Sequence, residues 1–123
     1  MKYIAYGSNM VEEQMAYRCP NAKLIGTGQL PNHRLEFYLH ATVERSRARG
    51  ASVPVAVWEI NEEDEQNLDY YEGFPKYYTK HKRKVLMDDG SQIEEKANWA
   101  QVADLRRLDD LLEQALEFFK GID

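Results

Sequence analysis

Apolar and polar residues alternate from the first strand-sized window onward, and the period changes in a way that marks out elements. Lys2 to Ala5 has the pattern of a short strand, ended by the turn formers Gly7-Ser8-Asn9. Met10 to Arg18 predicts a short helix, with Asn9 as N-cap, Glu12 and Glu13 at its positive end, and Pro20-Asn21 as its stop. Lys23 to Leu30 predicts a strand weakened by two glycines. In Arg34 to Leu39 the residues Leu35, Phe37 and Leu39 share one face. Ser52 to Ile60 is apolar on both faces, the pattern of a central strand, with Pro54 placed where no ladder partner is needed.

The period then returns to that of a helix. Asn61 caps a segment opening with Glu62, Glu63 and Asp64, in which Leu68, Tyr71 and Tyr70 are expected to face the core and Gly73 to end the helix. Tyr77 to Met87 predicts a strand, Asp88-Asp89-Gly90 a turn, and Ile93 to Val102 a returning hairpin arm. Asp104 caps a last helix, where Leu105, Leu108, Leu112, Ala115, Leu116 and Phe119 form one stripe up to Gly121. The element order predicts an α+β domain with a mostly antiparallel sheet. Residues 1 to 123 suffice for one hydrophobic core, so a single domain is expected.

Charge and composition narrow the function. A net charge of −5 opposes general nucleic-acid binding. Arg45, Arg47 and Arg49, and the basic segment Lys76 to Lys84, have the character of a solvated loop and a solvated strand face. A single cysteine, Cys19, excludes an internal disulfide, and the expected state is a partly buried, inert thiol. His33, His40 and His81 lack paired spacing, so a zinc site is not expected. No apolar run approaches the roughly 20 residues that span a bilayer, and the start turns polar too early for a signal peptide. The expected location is the cytoplasm.

Two segments carry candidate chemistry. Tyr6-Gly7-Ser8-Asn9 leads from a strand into a helix N-terminus, which aims backbone N–H groups outward, able to hold a carboxylate or a developing oxyanion. Leu68-Asp69-Tyr70-Tyr71-Glu72-Gly73-Phe74-Pro75 places a carboxylate at a helix end, where the dipole disfavours it, among aromatic residues. Poor hydration there would raise the Glu72 pKa towards the range useful for moving protons near neutrality. Each segment alone is also an everyday turn or an ordinary surface glutamate.

Taken together they resemble a family. Tyr6-Gly7-Ser8-Asn9-Met10, Glu13-Gln14-Met15 and Arg18-Cys19-Pro20 are similar to the opening of γ-glutamylcyclotransferase-like (AIG2-like) proteins. Ala56-Val57-Trp58-Glu59-Ile60, Glu62-Glu63-Asp64 and Leu68 to Gly73, with Tyr77-Tyr78 following, continue the resemblance through about residue 88. It implies a small, mostly antiparallel barrel flanked by helices, and cleavage of γ-glutamyl amides without metal or organic cofactor. In that reaction the substrate's α-amine attacks its γ-carbonyl, closing 5-oxoproline and expelling an amine. By the same resemblance Glu72 matches the catalytic carboxylate that moves both protons. Tyr6, Gly7, Ser8, Asn9 and Met10 match the γ-glutamyl-binding loop, and Tyr78 a tyrosine lining its pocket.

The tail departs from the pattern. Active relatives carry tyrosines in the strand after the Gly90 turn and before the last helix, whereas no tyrosine follows Tyr78 here. Trp99 supplies an aromatic wall without a hydroxyl, and Leu111 or Leu112 loses a polar contact. Three functions therefore stand as alternatives: the enzyme, a lapsed γ-glutamyl-binding module, and an interaction protein using the basic segment. The expected partner is a small γ-glutamyl molecule, with neither nucleic acid nor membrane. The leaving amine depends on loops such as Thr42 to Ser52.

Overall fold

The computed structural model describes residues 1–38, 40–72, 78–94 and 98–103. The predicted helix from Asp104 to Gly121, the Gly73 stop, and Phe74 to Tyr77 lie outside the described residues. Nine strands are described: β1 (Lys2–Ala5), β2 (Lys23–Pro31), β3 (His33–Tyr38), β4 (His40–Arg45), β5 (Ser52–Glu59), β6 (Tyr78–Lys82), β7 (Val85–Met87), β8 (Gln92–Ile93) and β9 (Asn98–Ala103). Two helices accompany them, α1 (Glu12–Arg18) and α2 (Glu62–Glu72).

Seven strands form one sheet in the order β6-β9-β1-β5-β2-β7-β8, and β3 pairs with β4 alone. Among the described residues, only the β1–β9 pairing is parallel. The linear order conceals a curl. β6 pairs with β9 and β7 with β8, so the segments before and after the Gly90 turn make one long ribbon. One end of that ribbon joins β1 through β9, and the other joins β2 through β7. The sheet therefore bends round on itself towards a barrel, with the ladder interrupted between Lys82 and Val85. The single strand expected over Tyr77 to Met87 is broken at Arg83 and Lys84, and of the expected return arm the described strands are β8 and β9.

β5 is central, flanked by β1 and β2, as its two-sided apolar pattern predicts. Alternate residues feed two cores, because successive strand side chains point to opposite faces. Tyr3, Ala5, Ala56, Trp58 and Ile60 pack with Met15, Cys19 and Leu68 of the helical side. Ile4, Val53, Val55 and Val57 pack on the other face with Leu30, Val43, Val85 and Ala100. Pro54 faces Gln29 of β2, and the β1 pairing ends before reaching it, at Ala5↔Ala56. Its missing N–H thus costs no ladder bond.

Several expectations change. β2 is a full nine-residue strand paired on both sides. Its glycines serve the pairing: a Cβ on Gly28 would sit 2.4 Å from the Leu86 carbonyl oxygen. The segment from Thr42 is strand, not loop, as far as Arg45. Leu35 is 42% exposed, because β3 pairs with β4 alone. Arg34 instead anchors the outer face of this hairpin with Glu36 at 2.6 Å and Glu44 at 2.7 Å.

Candidate active site

β1 delivers the chain to Tyr6 and Gly7, and a 3-10 turn over Ser8–Met10 follows, closed by the Met10 N–H donating to the Gly7 carbonyl at 3.0 Å. This turn takes the place of the predicted helix start. The helix proper begins at Glu12 with Val11 as N-cap and no side-chain cap. Asn9 is not the cap, because its polar atoms are used elsewhere.

Those bonds define the loop. Asn9 is buried, its Nδ2 donating to the Tyr3 hydroxyl at 3.0 Å and its Oδ1 accepting from Arg18 Nη1 at 2.8 Å. The Trp58 indole Nε1 donates to the Asn9 carbonyl at 3.0 Å. A buried amide left unsatisfied costs about 1–3 kcal/mol, so these partners fix the turn firmly. The side chain of Asn9 thereby acts internally, holding the backbone of the turn in place. Tyr6 points to the inner core face, where its hydroxyl lies 3.4 Å from the Ala41 carbonyl of β4. Gly7 is exposed, and a Cβ added there meets nothing within 4 Å among the described residues.

α2 begins as predicted. The Asp64 N–H donates to Asn61 Oδ1 at 2.8 Å, and the Asn61 N–H donates to Asp64 Oδ2 at 3.1 Å, a reciprocal capping box. Leu68 is fully buried against the helical core. Tyr70 is 83% exposed and Tyr71 45%, so neither tyrosine faces the core as expected. Tyr70, two positions after Leu68, is rotated away from the inward face, whereas Tyr71, three positions on, keeps to the Leu68 side of the helix and meets Arg18 at its margin. The Tyr71 ring lies under the Arg18 guanidinium, 5.0 Å from centroid to carbon, and meets Tyr70 edge to face.

The far side of α2 is tied to β6. Lys80 reaches Glu65 at 2.7 Å and Asp69 at 2.9 Å, side chains one helical turn apart. Burial alone would lower the Lys80 pKa, and the hydrogen bonds to Glu65 and Asp69 raise it above its ordinary value instead. One member of the basic segment thus belongs to the fold. Glu72 is the last residue of α2, and Tyr78 opens β6 opposite Ala103. The side chains of Ser8, Glu72 and Tyr78 lie outside the described part of the structure.

Other reactive groups are occupied. Cys19 is buried, and burial, then the negative charge of Asp64, push its thiol up to about 11 against the pull of Arg18. Such a thiol stays protonated, as the sequence suggests. His33, the first residue of β3, is buried: its Nδ1 faces the Pro31 carbonyl at 2.8 Å, and its Nε2 accepts from Arg83 Nε at 3.1 Å. Burial lowers the His33 pKa, the bond to Pro31 opposes this, and Arg83 and Arg45 add to the lowering. His81 is lowered by burial and the same two arginines. Among the described residues no cluster of three metal-ligating side chains forms. No described helix is long and apolar enough to cross a membrane.

Sequence reasoning missed Arg18. Its position in the Arg18-Cys19-Pro20 run is visible, yet only the fold brings it against both Asn9 and Tyr71.

A small curled antiparallel sheet with helices on one face, and a rigid turn at the exit of its first strand, define a class of fold that comparisons identify. The family model for gamma-glutamyl cyclotransferase, AIG2-like proteins matches residues 3–116, and the chain belongs to that family. It is similar to a solved gamma-glutamyl cyclotransferase at 25% identity and a TM-score of 0.73, covering 85% of this chain and 66% of that one. An uncharacterized protein from Homo sapiens is similar at 26% identity and a TM-score of 0.72, covering 84% and 66%. The chain thus spans just under two thirds of the length of these two proteins. A protein from Arabidopsis thaliana, 18% identical with a TM-score of 0.62 and coverage of 98% and 89%, shares the fold. No curated protein matches the chain.

Proposed function

We propose that this chain is a γ-glutamylcyclotransferase-type enzyme that releases 5-oxoproline from a γ-glutamyl amine, amino acid or peptide. The α-amine of the glutamyl group attacks its own γ-carbonyl. A new C–N bond closes the five-membered ring, and the tetrahedral intermediate collapses by breaking the C–N bond to the leaving amine. Glu72 takes a proton from the substrate ammonium and returns one to the departing nitrogen. The turn from Tyr6 to Met10 holds the glutamyl end, with backbone N–H groups and Ser8 as donors, and Tyr78 lines the same pocket. Folding the substrate so that amine and carbonyl meet is itself a large contribution, through effective molarity.

The observation that carries this reading is the contact chain from Asn9 through Arg18 to Tyr71. It joins the proposed binding turn to the helix turn containing Glu72, two segments distant in the chain. Family membership supports the same reaction class. Gly7 adds support, since the space around its Cβ position, open among the described residues, is what a closely approaching ligand needs.

A second reading, a binding module that has lost turnover, is favoured by the absence of tyrosine after Tyr78. One experiment separates the two. Purified protein is incubated with a panel of γ-glutamyl amines, amino acids and dipeptides, and 5-oxoproline is measured. The enzyme reading expects release from at least one class, with the preference identifying the leaving amine. No release, together with a ligand-induced rise in melting temperature, establishes the binding module instead.

A further inference from the structure

The structure contains one side chain that touches both halves of the proposed site without being assigned a part in it. Arg18 closes α1, and its Nη1 donates to Asn9 Oδ1 at 2.8 Å. Its guanidinium carbon stands 5.0 Å from the centroid of the Tyr71 ring. Its carbonyl accepts a hydrogen bond from Asn67 Nδ2 of α2 at 3.1 Å. One residue thus grips the turn through Asn9 and α2 through two positions a helical turn apart. Tyr71 immediately precedes Glu72 in the chain.

The chemistry of these contacts is specific to arginine. The planar guanidinium offers an edge for a hydrogen bond and a face for an aromatic ring at the same time, which an ammonium cannot do. Asn9 is held on its other atoms by Tyr3 and Trp58, both rooted in the sheet. The turn is therefore fixed to the sheet independently of Arg18. Arg18 supplies a direct link from that fixed turn to the last turn of α2, whose far side Lys80 holds through Asp69.

We infer that Arg18 is a positioning residue that sets the spacing between the γ-glutamyl-binding turn and the helix end presenting Glu72. The inference rests on the proposed acid–base role of Glu72 for its effect on rate, though not for its geometry. Misplacement of a catalytic group by about 1 Å costs on the order of a hundredfold in rate. The turn itself stays anchored when Arg18 is replaced, so substrate affinity changes little.

The test compares wild type with Arg18→Met, Tyr71→Ala and Tyr71→Phe, assayed well below each melting temperature. Arg18→Met and Tyr71→Ala are expected to lower kcat about ten- to a hundredfold, with KM changed less than about threefold. Tyr71→Phe, which keeps the ring, restores the kcat lost in Tyr71→Ala. Wild-type kcat in both truncated variants overturns the inference even where their melting temperatures fall.

A second readout needs no turnover. Tyr71→Ala is expected to shift the amide resonances of Gly7 to Met10, and to leave them unmoved when introduced into Arg18→Met. Shifts that are absent, or the same in both backgrounds, contradict the positioning role. A wild type without 5-oxoproline release but with this Arg18-dependent coupling removes the catalytic reading and leaves the positioning contact established.

Discussion

Gly7 separates what the fold requires from what a ligand requires. Among the described residues a Cβ at Gly7 meets nothing within 4 Å, and its backbone is not in the left-handed region. Gly7→Ala is therefore expected to keep or slightly raise stability, by up to about 1 kcal/mol through loss of unfolded-state entropy. The same methyl group would stand where a γ-glutamyl group approaches the turn, so affinity for such a ligand should fall at least tenfold. Thermal melts beside ligand titration check both halves, and unchanged affinity would remove Gly7 from the site. His33 gives a residue-scale prediction in pH. Its folded pKa is lowered, by burial first and by Arg83 and Arg45 in addition. The unfolded histidine takes up a proton near its ordinary value of about 6.5, while the folded one resists. Stability is thus fully present above that value and falls as pH drops below it. Protonation also makes Nε2 a donor facing the Arg83 donor. Urea midpoints should decline between about pH 7.5 and pH 5.5, and His33→Gln should flatten the decline. An unaltered slope in that variant would assign the dependence to other groups.

Elements show which parts of the chain were legible and why. The start of α2 was readable because a cap is a local device, in which the side chains of Asn61 and Asp64 each bond the other's backbone N–H. Asn61→Ala should cost about 1 kcal/mol, within the range for lost N-caps, measured as a fall in the urea midpoint. A neutral result would mean that packing of Leu68 alone holds the helix start. β5 was readable for a similar reason, since apolar residues on both faces mark a strand with a core on each side of the sheet, the usual situation of a central strand. The start of α1 was misread because Asn9 has long-range partners, Tyr3 and Arg18, that outcompete its local capping role. The glycines of β2 look like strand breakers until β7 is brought beside them, and then they are what allows the approach. Tyr70 and Tyr71 look like core residues because they are aromatic, whereas Tyr70 is rotated away from the Leu68 face, and Tyr71, though on that side, meets Arg18 at the edge of the core. The bond from Arg83 to buried His33 spans 50 residues of chain, and no local pattern announces it.

The whole molecule brings together two segments that the sequence could only list in order. β1 and β5 pair directly, which sets the exit of β1 beside the strand that leads into α2. α1 then bridges the two through Arg18, and Lys80 ties the opposite side of α2 to β6, where Tyr78 begins. The family and the α+β architecture were legible from paired motifs and element order, and the matching family model covers residues 3–116. The connection between the motifs was not, because it runs through side chains whose partners are set only by tertiary packing. The central claim is that this assembly presents Glu72 as the proton carrier of an intramolecular cyclisation. The most direct measurement is 5-oxoproline release by wild type and Glu72→Gln, with γ-glutamyl ligand affinity measured on both. Wild type is expected to turn over and Glu72→Gln to lose about a hundred- to ten-thousandfold, the range of a general acid–base group, with near-equal affinities. Turnover by Glu72→Gln at the wild-type rate would contradict that claim.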